Sequence, residues 1–454
     1  MTVAGSLAEF LTQISYGDLP PQTVDHAAML IASTIASAAL GSGIASATII
    51  RTLARERGGT PEASIWFDAG PKLPVADAAQ VNAVMSDAAA SDDSDLRNIV
   101  HAGTTLVATS LAMAERTGAN GRDVFAAIVL GYEASGRIGE AVTPGLRNRG
   151  FHGCIVAIFA GAVATGRLLR LNAARMAQAI ALSATSMGGL AAAANTSVAR
   201  EYHAGLAAML GVHAALAAQK GYVAEEGILE TRQGFFEVYG GTDGRGVTQD
   251  FGKEWDIITD MAIKLVPGGH PSHALAEAAA NAARAGNVSP DEVETITLSR
   301  PGVTALSGPL HPTDLIDMAH SPAYFVAAGV ADKNFSWVHA TEAKISDPVI
   351  HQLLDKVRVG APPTEHLERY KQGASVTIRT KDGRTFSNTV YAPKGAGIHG
   401  IDWADVDAKY RTLVPHARLR DREVEASLQV IHDFRNVMDV SALIDLLQMR
   451  SDNT

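Results

Sequence analysis

Cysteine is nearly absent from this 454-residue chain: Cys154 is the one thiol. A single thiol excludes an internal disulfide, a Cys-rich zinc site and a CxxC redox pair. It fits a reducing compartment, so a cytoplasmic protein is expected. Charge is scarce as well, at 19% of residues against a usual value of about 25%. Basic runs are missing, and 38 Lys+Arg against 48 Asp+Glu leave a net charge of −10. No nucleic-acid partner is expected from such a balance. Residues 1–15 hold no basic start followed by an apolar run, so no signal peptide is expected. The patterns GxxxxGK[ST], HExxH and GxSxG do not occur, which argues against P-loop enzymes, zincins and α/β-hydrolases.

Hydrophobic residues, in contrast, reach 47%. That excludes a disordered chain, and the length exceeds the roughly 250–300 residues that one core usually serves. Two domains are therefore expected. The stretch from Ala27 to Ile50 is uncharged over 24 residues, long enough to span a membrane. Six hydroxyl side chains and a Gly41-Ser-Gly43 break interrupt it. It reads better as a buried internal helix, and no membrane partner is expected.

Ala-rich segments with short Gly breaks predict helices over about 22–40, 76–90, 102–117, 121–141, 152–168, 173–186 and 203–220. Asn172 is a natural N-cap for one of them, and Gly221 closes another. The texture changes after Pro267. Residues 292–299 alternate as a half-buried strand, and 374–379 and 384–391 flank the hairpin signal Asp382-Gly383. A helix is expected near 273–286, and helical spacing returns over 402–412 and 421–449. The expected fold class is mainly α. A large all-helical domain (1–266 and 396–454) is formed by both chain ends, and a smaller α+β domain (267–395) is inserted before the C-terminal helices.

Two letter matches are discounted. Gly395-Ala-Gly397-Ile-His-Gly400 fits GxGxxG, but it follows a hairpin and cannot open a βαβ unit. His270 and His273 lack a third ligand, so no metal is expected there.

Other polar residues sit at helix starts. Ser91-Asp-Asp-Ser-Asp95 precedes His101, and two readings stand: a solvated loop with an N-cap, or a loop that delivers an acid/base pair. A helix N-terminus favours a neutral imidazole and binds anions. His152 stands between Phe151 and Gly153 at the mouth of an apolar helix, as a satisfied core histidine or a site residue. Arg200 and His203 begin another buried helix, Lys264 precedes Pro267-Gly-Gly-His270, and Tyr324 follows Ser321-Pro322. Cations, histidines and a phenol in such places can bind a small carboxylate and move a proton.

The segments SDDSDLRNIVHAG, GANGRDVFAAIVLGYEASGRIG, RGFHGCIVAIFAGAVATGRLLRLN, AREYHAGLAAMLGVHAALAAQKGY, ILETRQGFFEVYGG, KLVPGGHPSH and AHSPAYFVA occur in an order that resembles the MmgE/PrpD family. Its members include 2-methylcitrate dehydratase, cis-aconitate decarboxylase and iminodisuccinate epimerase. The resemblance covers most of the chain. It implies a homodimer, no cofactor, and a small di- or tricarboxylate held between two domains. The implied chemistry is proton abstraction beside a carboxylate, followed by loss of water, loss of CO2 or reprotonation.

The leading expectation is a dehydratase-like lyase. An epimerase, a decarboxylase and a non-catalytic carboxylate binder stand as alternatives. By position, His101, His152, Tyr324, Asp93 and Lys264 are the expected catalytic residues. Arg200, Ser94, His203 and His273 are the expected substrate contacts. The family's Asp-Phe-Asp-Asp reads Ala90-Ser91-Asp92-Asp93 here, its following Thr is Ser94, and its His-Pro-Gly is His101-Ala-Gly103. The lysine three before His203 in relatives is Arg200. Arginine keeps the charge but cannot act as a base near neutral pH.

Overall fold

The computed structural model describes residues 1–449 apart from 99, 187 and 371. The fold is mainly α. The chain divides into two compact units, Met1–Ile263 with Ile401–Thr454, and Lys264–Gly400.

The first unit is a stack of helices whose ends carry clear local signals. The Ala102–Thr117 helix stops at Gly118, which takes the left-handed conformation at φ 67° that a side chain would disfavour. The next helix, Gly121–Ala141, starts from an Asn120/Asp123 capping box. Asn172 accepts from the Arg175 N–H and caps Ala173–Ala184.

At the centre, Ala199–Gln219 packs against Val75–Ala88, Ala157–Leu168, Ala173–Ala184 and Ala102–Thr117. Small residues allow these helices to approach closely. A Cβ on Gly211 would fall 2.8 Å from the Ile158 carbonyl oxygen. That contact carries the low charge fraction of the sequence into the structure: helices touching backbone to backbone leave no room for long polar side chains.

The uncharged N-terminal segment supplies most of the Pro21–Gly41 helix, breaks at Ser42-Gly43, and runs into the Ala45–Arg57 helix. The Pro21–Gly41 helix is long and apolar enough to cross a membrane, but 89% of its most apolar window is buried inside the protein. Val75–Ala88 and the C-terminal Trp403–Leu413 helix cover it. Lys409 reaches in from that last helix and donates to Ser33 Oγ (2.7 Å) and the Ser91 carbonyl (2.5 Å). Ser37 Oγ donates to the same carbonyl at 2.7 Å. The chain's C-terminal region thus anchors the start of the Asp-rich loop. That loop forms a short strand, β1 (Asp93–Asp95), antiparallel to β2 (Met261–Ile263) with Ser94 opposite Ala262.

The second unit holds a four-stranded sheet in the order β4-β3-β5-β6, from β3 (Val293–Ser299), β4 (Val357–Val359), β5 (Ala374–Thr380) and β6 (Thr385–Val390). β5 and β6 form the expected hairpin, with Gly383 at φ 87° in the turn. β4 runs parallel to β3; three residues are too few to show a period. The His273–Ala285 helix covers β5 and β6 and packs on the Pro322–Asp332 helix. Leu275, Ile296, Val326 and Ile378 belong to the core between them.

The helical spacing over 421–449 resolves into two helices, Asp421–His432 and Ser441–Leu447. A short Phe434–Asn436 turn separates them and buries the Phe434 side chain.

Candidate active site

Three helix starts converge in the first unit, and each presents a histidine. His101 is the N-cap of Ala102–Thr117. His152 precedes the Gly153–Val156 turn that leads into Ala157–Leu168. His203 lies in the first turns of Ala199–Gln219. The His101 and His152 ring centres are 6.3 Å apart, and those of His152 and His203 are 5.4 Å apart. Nδ1 of His203 is 3.2 Å from Nδ1 of His152.

His101 is held by the Asp-rich loop. Its Nδ1 faces three oxygens: the Asp93 carbonyl at 2.6 Å, Asp92 Oδ2 at 2.7 Å and Ser94 Oγ at 3.3 Å. With acceptors on that side, Nδ1 carries the proton and Nε2 carries the lone pair. An imidazole whose Nδ1 is held by a backbone carbonyl, with a carboxylate oxygen 2.7 Å away, is a proton carrier of defined tautomer and direction.

Asp93, expected to orient the loop or act as the base, has its carboxylate tied into the fold. Oδ1 accepts the Gly103 N–H at 2.9 Å and Oδ2 accepts the Tyr132 hydroxyl at 3.3 Å. A Cβ at Gly103 would lie 2.5 Å from Asp93 Oδ1, so this close approach requires glycine. Burial and the nearby Asp93 carboxylate push the Tyr132 phenol well above its usual range.

The electrostatics favour neutral rings. Burial, then His101, His203 and Arg200, hold His152 well below its ordinary value. Burial also lowers His203, with Asp87 opposing. Arg200 stands beside them. Its Nε donates to Asp87 Oδ2 at 2.8 Å, and its Nη2 donates to the Asp87 carbonyl. Burial works against its charge, but Asp87, Asp92 and Glu201 outweigh that and keep it a cation. Arg200 also interacts electrostatically with Cys154. A cavity of about 160 Å³ opens beside His203, walled mainly by Ile155, Ile158 and Leu206, with Ser186 as its other polar side chain.

The remaining expected residues belong to the second unit. Lys264 directly follows β2 and is buried. His273 is the first residue of His273–Ala285, buried and stacked on His270 with ring centres 4.7 Å apart. Tyr324 is fully buried in that unit's hydrophobic core, and its hydroxyl donates to the His339 carbonyl at 2.9 Å. Burial, with Asp347 and Asp332, raises this phenol far above its usual range. In this arrangement Tyr324 is part of the packing of the second unit.

Of the nine residues expected from sequence, His101, His152, His203, Arg200, Asp93 and Ser94 lie in the first unit and Tyr324, Lys264 and His273 in the second; sequence reasoning overlooked three partners. Asp92 lay within the quoted acidic run but was not separated from its neighbours. Asp87 sits inside an apolar helix, and its only signal is a carboxylate at a buried position. Cys154 was read only for what one thiol cannot do.

Comparisons with known proteins place the chain in a family. The MmgE/PrpD N-terminal domain matches residues 5–246, and the MmgE/PrpD C-terminal domain matches residues 267–433. The chain belongs to the MmgE/PrpD family, whose lyase-type enzymes act on carboxylates. Among its relatives is the cis-aconitate decarboxylase of Homo sapiens, 24% identical over 458 residues that cover 98% of this chain and 95% of that protein. The cis-aconitate decarboxylase of Aspergillus terreus is 25% identical over 480 residues, 98% of this chain and 96% of that protein. That of Mus musculus is 24% identical over 460 residues, 98% and 93%.

Proposed function

We propose that this protein is a lyase that needs no cofactor, acts on a small di- or tricarboxylate, and removes CO2 from a cis-aconitate-like substrate. The observation that carries this reading is the Asp92–His101 pair set beside a neutral His152. The full-length similarity to cis-aconitate decarboxylases favours loss of CO2 over the dehydration expected from the sequence.

In the proposed reaction the bond between a carboxylate carbon and its neighbour breaks. The electron pair stays on the substrate and is quenched by a proton. His101 first takes a proton from solvent at Nε2 and then delivers that proton, and Asp92 stabilises the imidazolium form on the opposite side of the ring. His152, kept neutral, hydrogen-bonds a substrate carboxylate without competing for the proton. Arg200 stays charged and paired to Asp87, and it contributes a fixed positive field for the anion. Solvent then reprotonates His101. Homodimer formation is part of the same reading, and sedimentation velocity tests it.

The experiment is 13C NMR of the purified protein with cis-aconitate in D2O. Release of labelled CO2 and one deuterium in the product are expected. Neither event with cis-aconitate, alongside turnover of 2-methylcitrate or of a substituted succinate, would move the assignment to dehydratase or epimerase. No turnover of any of the three would overturn it.

A further inference from the structure

We propose that His101, His152 and Cys154 form a binding site for a borderline-soft divalent transition ion, zinc above all. One ligand atom from each of these residues lies within 4.8 Å of the others. Two of the three are two residues apart across Gly153, and the third caps the neighbouring helix, so the fold itself makes the group.

The donor set is chemically selective. Two imidazole nitrogens and one sulfur suit zinc and its neighbours, and they are poor ligands for magnesium or calcium, which take oxygen. Ligand atoms around a tetrahedral zinc lie roughly 3.3–3.8 Å apart. The group therefore has to contract by about 1 Å, which torsion of the half-buried His152 can provide.

The surroundings already have the form of an outer shell. Asp92 Oδ2 and the Asp93 carbonyl take the His101 Nδ1 side, in the carboxylate–histidine arrangement that orients metal-bound imidazoles. The His203 ring, 3.2 Å from His152 through their Nδ1 atoms, orients the second imidazole. Nδ1 of each histidine is turned to these protein partners, so Nε2 is the atom that would meet the ion. Three protein ligands leave a fourth position for water or an anion.

Binding replaces the S–H bond of Cys154 with a metal–sulfur bond. The sulfur lone pair goes to the ion and the proton to solvent, so affinity rises with pH. The binding itself does not depend on the carboxylate chemistry proposed above. Its consequence does: an ion here occupies the His101 and His152 lone pairs and arrests proton transfer, so zinc is an inhibitor of this site.

Cobalt(II) titration of the full chain tests the proposal. One equivalent per chain is expected, with a thiolate-to-cobalt charge-transfer band in the near ultraviolet that zinc displaces. Cys154→Ser should abolish the band. His152→Asn should weaken cobalt binding by about tenfold or more. His311→Asn should change neither, although His311, His351 and Asp355 form an exposed cluster of their own. Should Cys154→Ser not fold, X-ray absorption of the zinc-loaded wild type still counts one sulfur if the site is real. No charge-transfer band, a band that survives in Cys154→Ser, or a zinc shell without sulfur would overturn the proposal. None of these readouts uses turnover, so failure of the ion site and failure of the lyase reading are separable.

Discussion

Asp92 Oδ2 and His101 Nδ1 lie 2.7 Å apart inside the protein, both largely removed from solvent. A carboxylate in that position matters most at the moment the ring takes on charge. Asp92→Asn keeps the shape and removes the charge. Its kcat is expected to fall by roughly 10²–10⁴-fold, with the urea unfolding midpoint close to wild type. A fall in stability with kcat preserved would show that Asp92 only supports the loop.

Asp93 should behave in the opposite way. Its carboxylate accepts from Gly103 N–H and Tyr132 Oη. Asp93→Ala strands a buried N–H and a buried hydroxyl, and it should cost about 1–3 kcal/mol for each group left unsatisfied. Urea denaturation reads this directly. Gly103→Ala, which pushes a methyl group against the same carboxylate and against Leu30, should lower both stability and activity.

Arg200 is bound to Asp87, whose side chain is fully buried. Arg200→Met leaves that carboxylate alone in the interior and should destabilise the protein by about 3–5 kcal/mol. Arg200→Lys keeps the charge, and it should recover most of the loss. Thermal denaturation of the two variants side by side is the measurement. Equal stability of Arg200→Met and wild type would show that the pair is dispensable.

Tyr324→Phe removes the hydroxyl that donates to the His339 carbonyl. The expected result is a loss of about 1 kcal/mol and a kcat within about twofold of wild type. A drop in kcat of a hundredfold or more would give the phenol the catalytic role expected from sequence.

Stability should fall as pH rises through neutrality. Burial, then the nearby Asp260 charge, raise Asp95 to about 7, from 3.8 for the free side chain. Between those two values the folded protein holds a proton that the unfolded chain releases, so folding is penalised progressively as pH climbs towards 7. The full penalty is on the order of 4 kcal/mol. Asp256, raised to about 9 by burial and by Glu133, extends the same trend upward. Asp95→Asn keeps an oxygen for the Arg97 and Asn98 N–H groups and cannot ionise. Its urea midpoint should vary less between pH 5 and pH 8 than that of wild type.

Much of the helical framework was legible because Ala, Gly and Asn act locally. Asn172 and Gly118 mark helix ends whatever surrounds them. The hairpin at Asp382-Gly383 was legible for the same reason. Short elements were not. β1 and β2 are three residues each and exist through pairing with one another, and β4 has three residues for its place beside β3. The site was legible as polar residues at helix starts, but a list of positions does not give partners. Arg200 read as a clamp for a carboxylate, and the carboxylate it holds is Asp87, 113 residues away in sequence. Tyr324 read as an acid, and its hydroxyl is spent on a backbone carbonyl.

The hydrogen bonds from Lys409 to Ser33 and Ser91 bear on how the protein is made. Synthesis runs from the N-terminus, so the apolar Pro21–Gly41 helix leaves the ribosome long before the Trp403–Leu413 helix that covers one of its sides. Until then its apolar surface is open and the Asp-rich loop has no lysine to hold its first carbonyl. The second unit can close on contacts made within a continuous 137-residue segment, Lys264–Gly400. The first unit cannot finish until the segment that begins at Ile401 has been added. A nascent chain stalled at residue 400 should therefore be a chaperone client with one folded unit, and the proton-carrying arrangement of Asp92 and His101 is among the last parts of the molecule to be set.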